Sequence, residues 1–217
     1  IAGLLMQTLF RNPLAGPFVL GISSGASLGV AILLLGSGIF GGVLATIAFS
    51  SWGLAIASSI GAGLVMLAVL VTATKVRNTM SILIIGLMFG TVTAAIISIL
   101  TFFSDAEKIQ QFVFWGFGSL GNLSWNEVLI FFIIYLIAVL NLFQIIKPLN
   151  AFLLGENYSK SLGINIKKSR NIILLITSLL TGVITAFAGP ISFIGLTVPH
   201  ITNLVFKTSD HKILLPA

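Results

Sequence analysis

The chain has 217 residues, of which 57% are hydrophobic and 7% are charged, and its mean hydropathy is +1.15. Soluble domains carry about 25% charged residues, so the composition excludes a soluble globular domain and indicates an integral membrane protein. The net charge of +6 comes from bases spread over short loops, without the clustered basic and aromatic surface that nucleic-acid binding requires. The absence of cysteine excludes disulfides and thiolate metal sites.

Apolar runs separated by helix-breaking residues predict an all-α bundle with six membrane spans and part of a seventh. Residues 1–10 are expected to be the end of a helix that begins upstream, because no initiator methionine precedes Ile1 and the run is too short to span. A turn and a short irregular helix are expected between 36 and 51, and a polar connector at 104–126. The complete spans are expected at 18–35, 52–74, 81–103, 128–146, 171–188 and 191–206.

Small residues recur at four-residue spacing in two of these spans. Gly21, Gly25 and Gly29 share one face of the first span, and Gly86 and Gly90 share a face of the span 81–103. A helix face without side chains lets another backbone approach closely. We therefore interpret both glycine faces as helix-packing surfaces.

A further break is predicted near the end of the chain. Gly189 and Pro190 end the span 171–188 at a depth where exposed backbone must be shielded by protein or water. Pro199 and His200 lie in the following run, and we interpret all four residues as structural. Two histidines and five scattered acids provide no chelating spacing, so no metal site is predicted.

The basic residues lie on one side of the predicted membrane topology. If the connectors alternate sides, ten of the eleven bases share one side and Lys108 alone faces the other. Positive charge marks the cytoplasmic side, so Asp105, Glu107 and Glu127 are expected outside. The ten bases are Arg11, Lys75, Arg77, Lys147, Lys160, Lys167, Lys168, Arg170, Lys207 and Lys212.

The segment 147–170 is the most polar part of the chain, with five bases and one acid. Asn150 is expected to cap a short helix, and Gly155 and Gly163 each to end one, which predicts two short helices. An apolar stripe at four-residue spacing shares one face of the segment. Its two interpretations, docking of a partner or packing against the bundle, remain open at this point. The stripe consists of Leu154, Tyr158 and Leu162.

Six motifs occur in a fixed order along the whole chain. They are QTLFRNPLAGP at 7–17, LGISSGA at 20–26, WGFGS at 115–119, LGENYSKSLG at 154–163, AGPISFIGLTVPH at 188–200, and DH at 210–211. Together they resemble the permease subunits of iron-siderophore, haem and vitamin B12 ABC importers. One departure is Asn203, where family members often carry a basic residue.

This resemblance implies a ten-helix permease fold in a bacterial cell membrane. The chain would be a single transmembrane permease domain running from within the family's second helix to the loop before its ninth. The implied partners are a second permease subunit in a homo- or heterodimer, cytoplasmic ABC ATPases, an external substrate-binding protein and membrane lipid. The substrate would be a ferric siderophore or a related metal chelate, imported by alternating access. A separate subunit hydrolyses ATP in this family, so the chain is expected to be no enzyme and to need no cofactor.

The resemblance also assigns functional residues. The segment 147–170 corresponds to the family's coupling helices, which sit in a cleft of the ATPase. The family's fifth helix borders the translocation channel, which favours Thr91 and Ser98 as pathway residues. For both hydroxyls, a hydrogen bond to their own helix backbone is the simpler interpretation. The expected ATPase contacts are Leu154, Gly155, Glu156, Tyr158, Ser161, Leu162 and Gly163.

A different class of function is suggested by Gly21-Ile-Ser23-Ser-Gly25, which fits the G-x-S-x-G pattern of serine hydrolases. An intramembrane serine protease would need a histidine base within reach of Ser23. The candidate base is His200, since His211 lies in the tail. We keep this enzyme as the alternative hypothesis, although the glycine face explains the same residues with fewer assumptions.

Overall fold

A computed structural model describes residues 1–36, 51–76, 79–121 and 123–216. Within these ranges the regular structure is entirely helical, which confirms the predicted all-α class. The turn and short helix expected between 36 and 51 fall almost wholly outside the described residues, as does Arg77.

The described part of the chain forms ten α-helices and one short 3-10 helix at Pro17–Leu20. The α-helices are α1 Ala2–Phe10, α2 Ile22–Leu34, α3 Ser51–Lys75, α4 Thr79–Phe102, α5 Ala106–Gly116, α6 Trp125–Leu153, α7 Glu156–Ser161, α8 Ile166–Ala188, α9 Ile194–Phe206 and α10 His211–Leu214. The connector expected at 104–126 therefore contains a helix, α5, that the sequence did not predict.

Four described helices, α3, α4, α6 and α8, are long and apolar enough to cross a membrane. Helices α2 and α9 have 13 residues each. At about 1.5 Å per residue each rises only about 20 Å, less than the hydrocarbon thickness of about 30 Å. The prediction of six full-length spans is therefore wrong for these two. The 3-10 turn and left-handed Gly21 shorten the first, and non-helical residues before Phe193, at φ 66°, shorten the second.

Helix α2 lies at the centre of the bundle and packs against α3, α4 and α8. Its closest neighbour is α3, because glycines on both helices leave the backbones in contact. A Cβ atom on Gly29 would lie 2.1 Å from the carbonyl oxygen of Ala57, and one on Gly61 would lie 2.1 Å from that of Gly25. Only glycine permits this approach at these positions.

A second backbone contact joins the start of α2 to α4. Gly21 has φ 72°, and a Cβ there would lie 2.7 Å from the carbonyl oxygen of Gly86. A Cβ on Gly86 would lie 2.4 Å from the carbonyl oxygen of Val19. At Gly90 the approach is looser, with Ser24 Oγ 3.5 Å from the ideal Cβ. The predicted glycine faces thus lie against neighbouring backbone at four positions and against a side chain at the fifth.

Hydrogen bonds tie the helices together at two separate ends of the bundle. At one end, Ser104 Oγ donates to the carbonyl oxygen of Leu35 over 3.3 Å, and the Ser119 amide donates to that of Ala188 over 2.8 Å. Lys108 and Asp105 form an ion pair of 3.1 Å beside this end. The other end gathers α7, the end of α3 and the starts of α4 and α8, with Arg170 among them.

Candidate functional site

The polar segment 147–170 begins inside a helix. Helix α6 continues through Lys147 and Pro148 to Leu153, seven residues beyond the predicted end of the span at Ile146. Asn150 does not cap a short helix, so that prediction is wrong. Its side chain instead bonds to the tail, where Nδ2 donates to Asp210 Oδ1 over 2.7 Å.

A single short helix, α7, follows where two were predicted. Gly155 adopts φ 107° and ψ 159° and begins α7 at Glu156. A side chain at that φ would be strained, which explains the glycine. Gly163 closes the helix with φ 77°, in the left-handed conformation expected of it. Asn165 then caps α8, since its side-chain oxygen accepts from the Lys168 amide over 3.0 Å.

Helix α7 has one face toward the bundle and one toward solvent. Ser159 is fully buried and donates from Oγ to the carbonyl oxygen of Gly155 over 2.8 Å. On the opposite face the apolar stripe is exposed, at 65% for Leu154, 51% for Tyr158 and 56% for Leu162. Within this chain the stripe therefore does not pack against the bundle.

The seven expected contact residues divide into two groups by accessibility. Gly155 is buried, and Glu156 is half-buried with Oε1 accepting from Thr79 Oγ1 over 2.6 Å. The other five are exposed: Leu154, Tyr158, Ser161, Leu162 and Gly163.

His211, the first residue of α10, forms a polar cluster with Asn150 and Thr8. The sequence did not predict this cluster, although the Asp-His pair was one of the six motifs. His211 is 1% exposed, and its backbone amide donates to Asn150 Oδ1 over 2.9 Å. Because that oxygen is an acceptor, His211 Nδ1, at 2.6 Å from it, carries the proton. Nε2 lies 2.7 Å from Thr8 Oγ1, whose hydroxyl also reaches the carbonyl oxygen of Leu4 at 2.9 Å. This cluster fastens α10 to α1 and α6.

Burial sets the protonation of this histidine. Desolvation lowers the pKa of His211 from 6.5 to about 4, and the neighbouring Asp210 carboxylate opposes the shift only in part. The pKa of Asp210 is itself lowered, first by the Lys212 backbone amide and then by the Asn150 side chain. His211 is consequently neutral at physiological pH.

The two hydroxyls proposed for a substrate path lie on an exposed face of α4. Thr91 Oγ1 donates to the carbonyl oxygen of Met88 over 2.8 Å, and Ser98 Oγ donates to that of Ala94 over 3.0 Å. Both therefore make the bond to their own helix that the simpler interpretation predicts.

The four residues interpreted as a structural break differ in burial. Gly189 ends α8 with φ 76°, and a Cβ there would lie 2.8 Å from the carbonyl oxygen of Trp115. Pro190 follows it outside the helix, Pro199 is buried inside α9, and His200 is exposed on the same helix. Among the residues that the structure describes, no group of His, Cys, Asp and Glu could hold a metal ion.

The residues of the alternative enzyme do not form a dyad. Ser23 Oγ lies 3.5 Å from Thr185 Oγ1 of α8. His200 is on α9, and in the described ranges no hydrogen bond joins it to Ser23. The G-x-S-x-G residues instead form the junction of the 3-10 helix, α2 and α4, which requires their small size.

The fold, with four described helices long and apolar enough to cross a membrane, defines a polytopic helical membrane protein, and comparisons with known proteins identify its family. The profile of the FecCD transport family matches residues 1–217. The chain belongs to this family. The match confirms the resemblance drawn from the six motifs, and it gives no support to the protease hypothesis.

Similar proteins share sequence over the whole chain. It is 36% identical over 221 residues to a protein described as an ABC transporter permease of Methanocaldococcus jannaschii, and covers 61% of that protein. It is 35% identical over 219 residues to the vitamin B12 import system permease BtuC of Klebsiella pneumoniae, and covers 62% of it. The chain thus spans about three fifths of the length of these relatives.

The fold is also shared with a solved structure. A chain described as a metal-chelate type ABC transporter in an inward-facing conformation superposes with a TM-score of 0.84 and 26% identity. The superposition covers 99% of this chain and 66% of that one. The helical arrangement described above is therefore an ABC permease fold.

Proposed function

We propose that the full-length protein is the transmembrane permease subunit of an ABC importer, and that it takes up a ferric siderophore or a related metal chelate. Family membership over all 217 residues supports the permease role. The metal-chelate description of the matched structure and the B12 import role of BtuC support a bulky metal complex as cargo. Among metal complexes, we choose a ferric siderophore as the substrate to test first.

The distribution of charge supports an orientation in the cell membrane. Arg11, Lys160 and Arg170 lie near α7, at the bundle end opposite Lys108. By the positive-inside rule the α7 end faces the cytoplasm. The Asp105 end then faces outward, toward a substrate-binding protein.

The exposed stripe on α7 is the observation on which this proposal chiefly rests. Leu154, Tyr158 and Leu162 present a small apolar surface on a cytoplasmic segment, beside the basic side chain of Lys160. Burial of such a surface stabilises an interface by about 25 cal/mol per Å² of apolar area. We assign the apolar stripe to the interface with a cytoplasmic ABC ATPase. The nucleotide-driven motion of that ATPase would displace α7, and the bundle would then open alternately to each side of the membrane.

The exposed surface of α4 supports a substrate path between this chain and a second permease subunit. Most of the apolar surface of α4 is uncovered by its own chain, including the face that carries Thr91 and Ser98. Hydroxyl groups on such a face would offer hydrogen bonds to a polar chelate between two subunits.

The test uses the full-length protein with its ATPase and binding protein in proteoliposomes. Leu154→Asp combined with Leu162→Asp should abolish association with the ATPase and ATP-dependent uptake, because it places two charges in an apolar interface. Asn157→Asp, an exposed change on α7 outside the expected contacts, is the matched control and should keep both. Uptake is compared for a ferric hydroxamate, a ferric catecholate, haem and cobalamin.

Two results would contradict the proposal in different ways. Unchanged association and uptake in the double variant would remove α7 from the ATPase interface. Uptake of cobalamin alone, with no transport of either ferric siderophore, would show that the substrate assignment is wrong while the permease role stands.

A further inference from the structure

We infer that Glu156, Thr79 and Arg170 are positioning residues that fasten α7 to the paired ends of α3 and α4. A displacement of α7 would then reach α4 directly, and not only the helices α6 and α8 that flank it in sequence. The inference rests on the proposed function, because it concerns how motion at the ATPase surface enters the bundle.

Arg170 connects α8 to the end of α3. It is 4% exposed, and its Nη2 donates to the carbonyl oxygens of Ala73 and Val76, the latter over 2.9 Å. Carbonyl groups in the last turn of a helix lack partners within that helix. A cation placed there is also favoured by the helix dipole. Arg170 thus caps α3 from a neighbouring helix.

Glu156 connects α7 to the beginning of α4. Thr79, the first residue of α4, is 7% exposed and donates from Oγ1 to Glu156 Oε1 over 2.6 Å. The Glu156 carboxylate is also attracted electrostatically by the Arg170 guanidinium. Each charged group therefore offsets part of the cost of burying the other.

These contacts bring four chain segments to one point. The end of α3, the start of α4, the start of α7 and the first turns of α8 meet around Arg170 and Glu156. Glu156 follows Gly155 and lies two residues after Leu154, so a displacement of the apolar stripe would also displace the carboxylate that accepts the Thr79 hydrogen bond. The same helix α4 carries Thr91 and Ser98 on its exposed face. The fastening thus joins the proposed ATPase surface to the proposed substrate path.

The first experiment removes one hydrogen bond at nearly constant volume. In the full-length transporter with its ATPase, Thr79→Val should lower chelate uptake per ATP hydrolysed by about tenfold, since a buried hydrogen bond to a charged group contributes roughly that factor. Complex yield and hydrolysis should stay within about twofold. Thr79→Ser keeps the hydroxyl and should restore coupling. Thr74→Val, an exposed change whose hydroxyl bonds to Val71 of its own helix, is the matched control.

A double-mutant cycle separates a shared interaction from independent roles. Glu156→Ala should uncouple transport to a similar extent, and adding Thr79→Val should cause little further loss. Additive losses would show that the two residues act separately and would overturn the inference. If Thr79→Val fails to assemble, Glu156→Gln, which keeps an oxygen acceptor for Thr79, should retain more coupling than Glu156→Ala, and equal losses would overturn the inference.

A structural readout makes the test independent of transport. Spin labels on cysteines that replace the exposed residues Lys75 and Lys160 would report the distance from the end of α3 to α7. Arg170→Met should broaden this distance distribution, whereas Lys168→Met, an exposed change in the same turn of α8, should not. An unchanged distribution in Arg170→Met would overturn the inference. If wild type shows no ATP-dependent uptake of any chelate, the proposed function fails, and the label distances still decide whether the fastening exists.

Discussion

The contact between α2 and α3 offers a sharp test of the fold through one glycine. Gly61 lies on α3 against α2, and an added Cβ would lie 2.1 Å from the carbonyl oxygen of Gly25. Ordinary van der Waals contact requires 3.4 to 4 Å, so the two helices would have to separate by about 1.3 Å locally. Gly61→Ala therefore forces apart the two helices with the most extensive mutual packing in the bundle.

The expected cost follows from this overpacking. Inserting a methyl group into a close-packed contact costs about 1–3 kcal/mol, against a gain in helix propensity of about 1 kcal/mol or less. Two residues further along the same helix, Gly63 has no atom within 4 Å of its ideal Cβ. Gly63→Ala meets no such clash and should be neutral or slightly stabilising. The pair thus separates steric conflict from propensity on one helix.

The assay is thermal unfolding of the full-length protein in detergent. At about 2–4 °C per kcal/mol for a chain of this size, Gly61→Ala should lower Tm by several degrees relative to Gly63→Ala. Equal Tm values for the two variants would refute the close backbone approach of α2 and α3.

Two further predictions concern other parts of the bundle. The free energy of unfolding should fall as pH falls from 6.5 to about 4, because His211 binds a proton in the unfolded chain over this window and stays neutral in the folded protein. The difference between the two pKa values corresponds to a loss of about 3 kcal/mol. Unfolding measured across this range should show a flatter pH dependence in His211→Gln. Leu149→Ala should cost about 2–5 kcal/mol because Leu149 is fully buried, whereas Leu140→Ala on the same helix, 59% exposed, should cost under about 1 kcal/mol.

Each of these has an outcome that contradicts it. An identical pH slope in wild type and His211→Gln would mean that another group titrates in this window. Asp210 is a poor candidate, since its pKa is lowered from 3.8 and it protonates below the window. Similar losses for Leu149→Ala and Leu140→Ala would place the two sides of α6 in equivalent surroundings.

Local signals in the sequence predicted the helix boundaries where the backbone is constrained. Pro13 and Pro17 follow the end of α1, and Gly189 ends α8 as expected, because proline lacks an amide donor and glycine tolerates positive φ. The same reasoning failed at Asn150, where a good capping residue lies inside α6. The Asn150 side chain instead forms hydrogen bonds with Asp210 and His211, about sixty residues away, and no local sequence pattern indicates these bonds.

The candidate site was predicted in part for a similar reason. The four-residue spacing of Leu154, Tyr158 and Leu162 placed them on one face, since helical geometry depends only on local sequence. Whether that face meets the bundle or solvent depends on how α7 is held. Glu156 is held by Thr79, which is distant in sequence and donates to its carboxylate, so no local pattern indicates this contact.

By itself the sequence determined the membrane environment, the all-α class and, through the order of six motifs, the family. These properties follow from composition, from periodicity and from motifs read along the chain. The tertiary structure alone decided the shortness of α2 and α9, the single helix α7, the buried His211 cluster and the fastening around Arg170. All of these depend on contacts between residues far apart in the chain, where backbone approach and burial outweigh local preference.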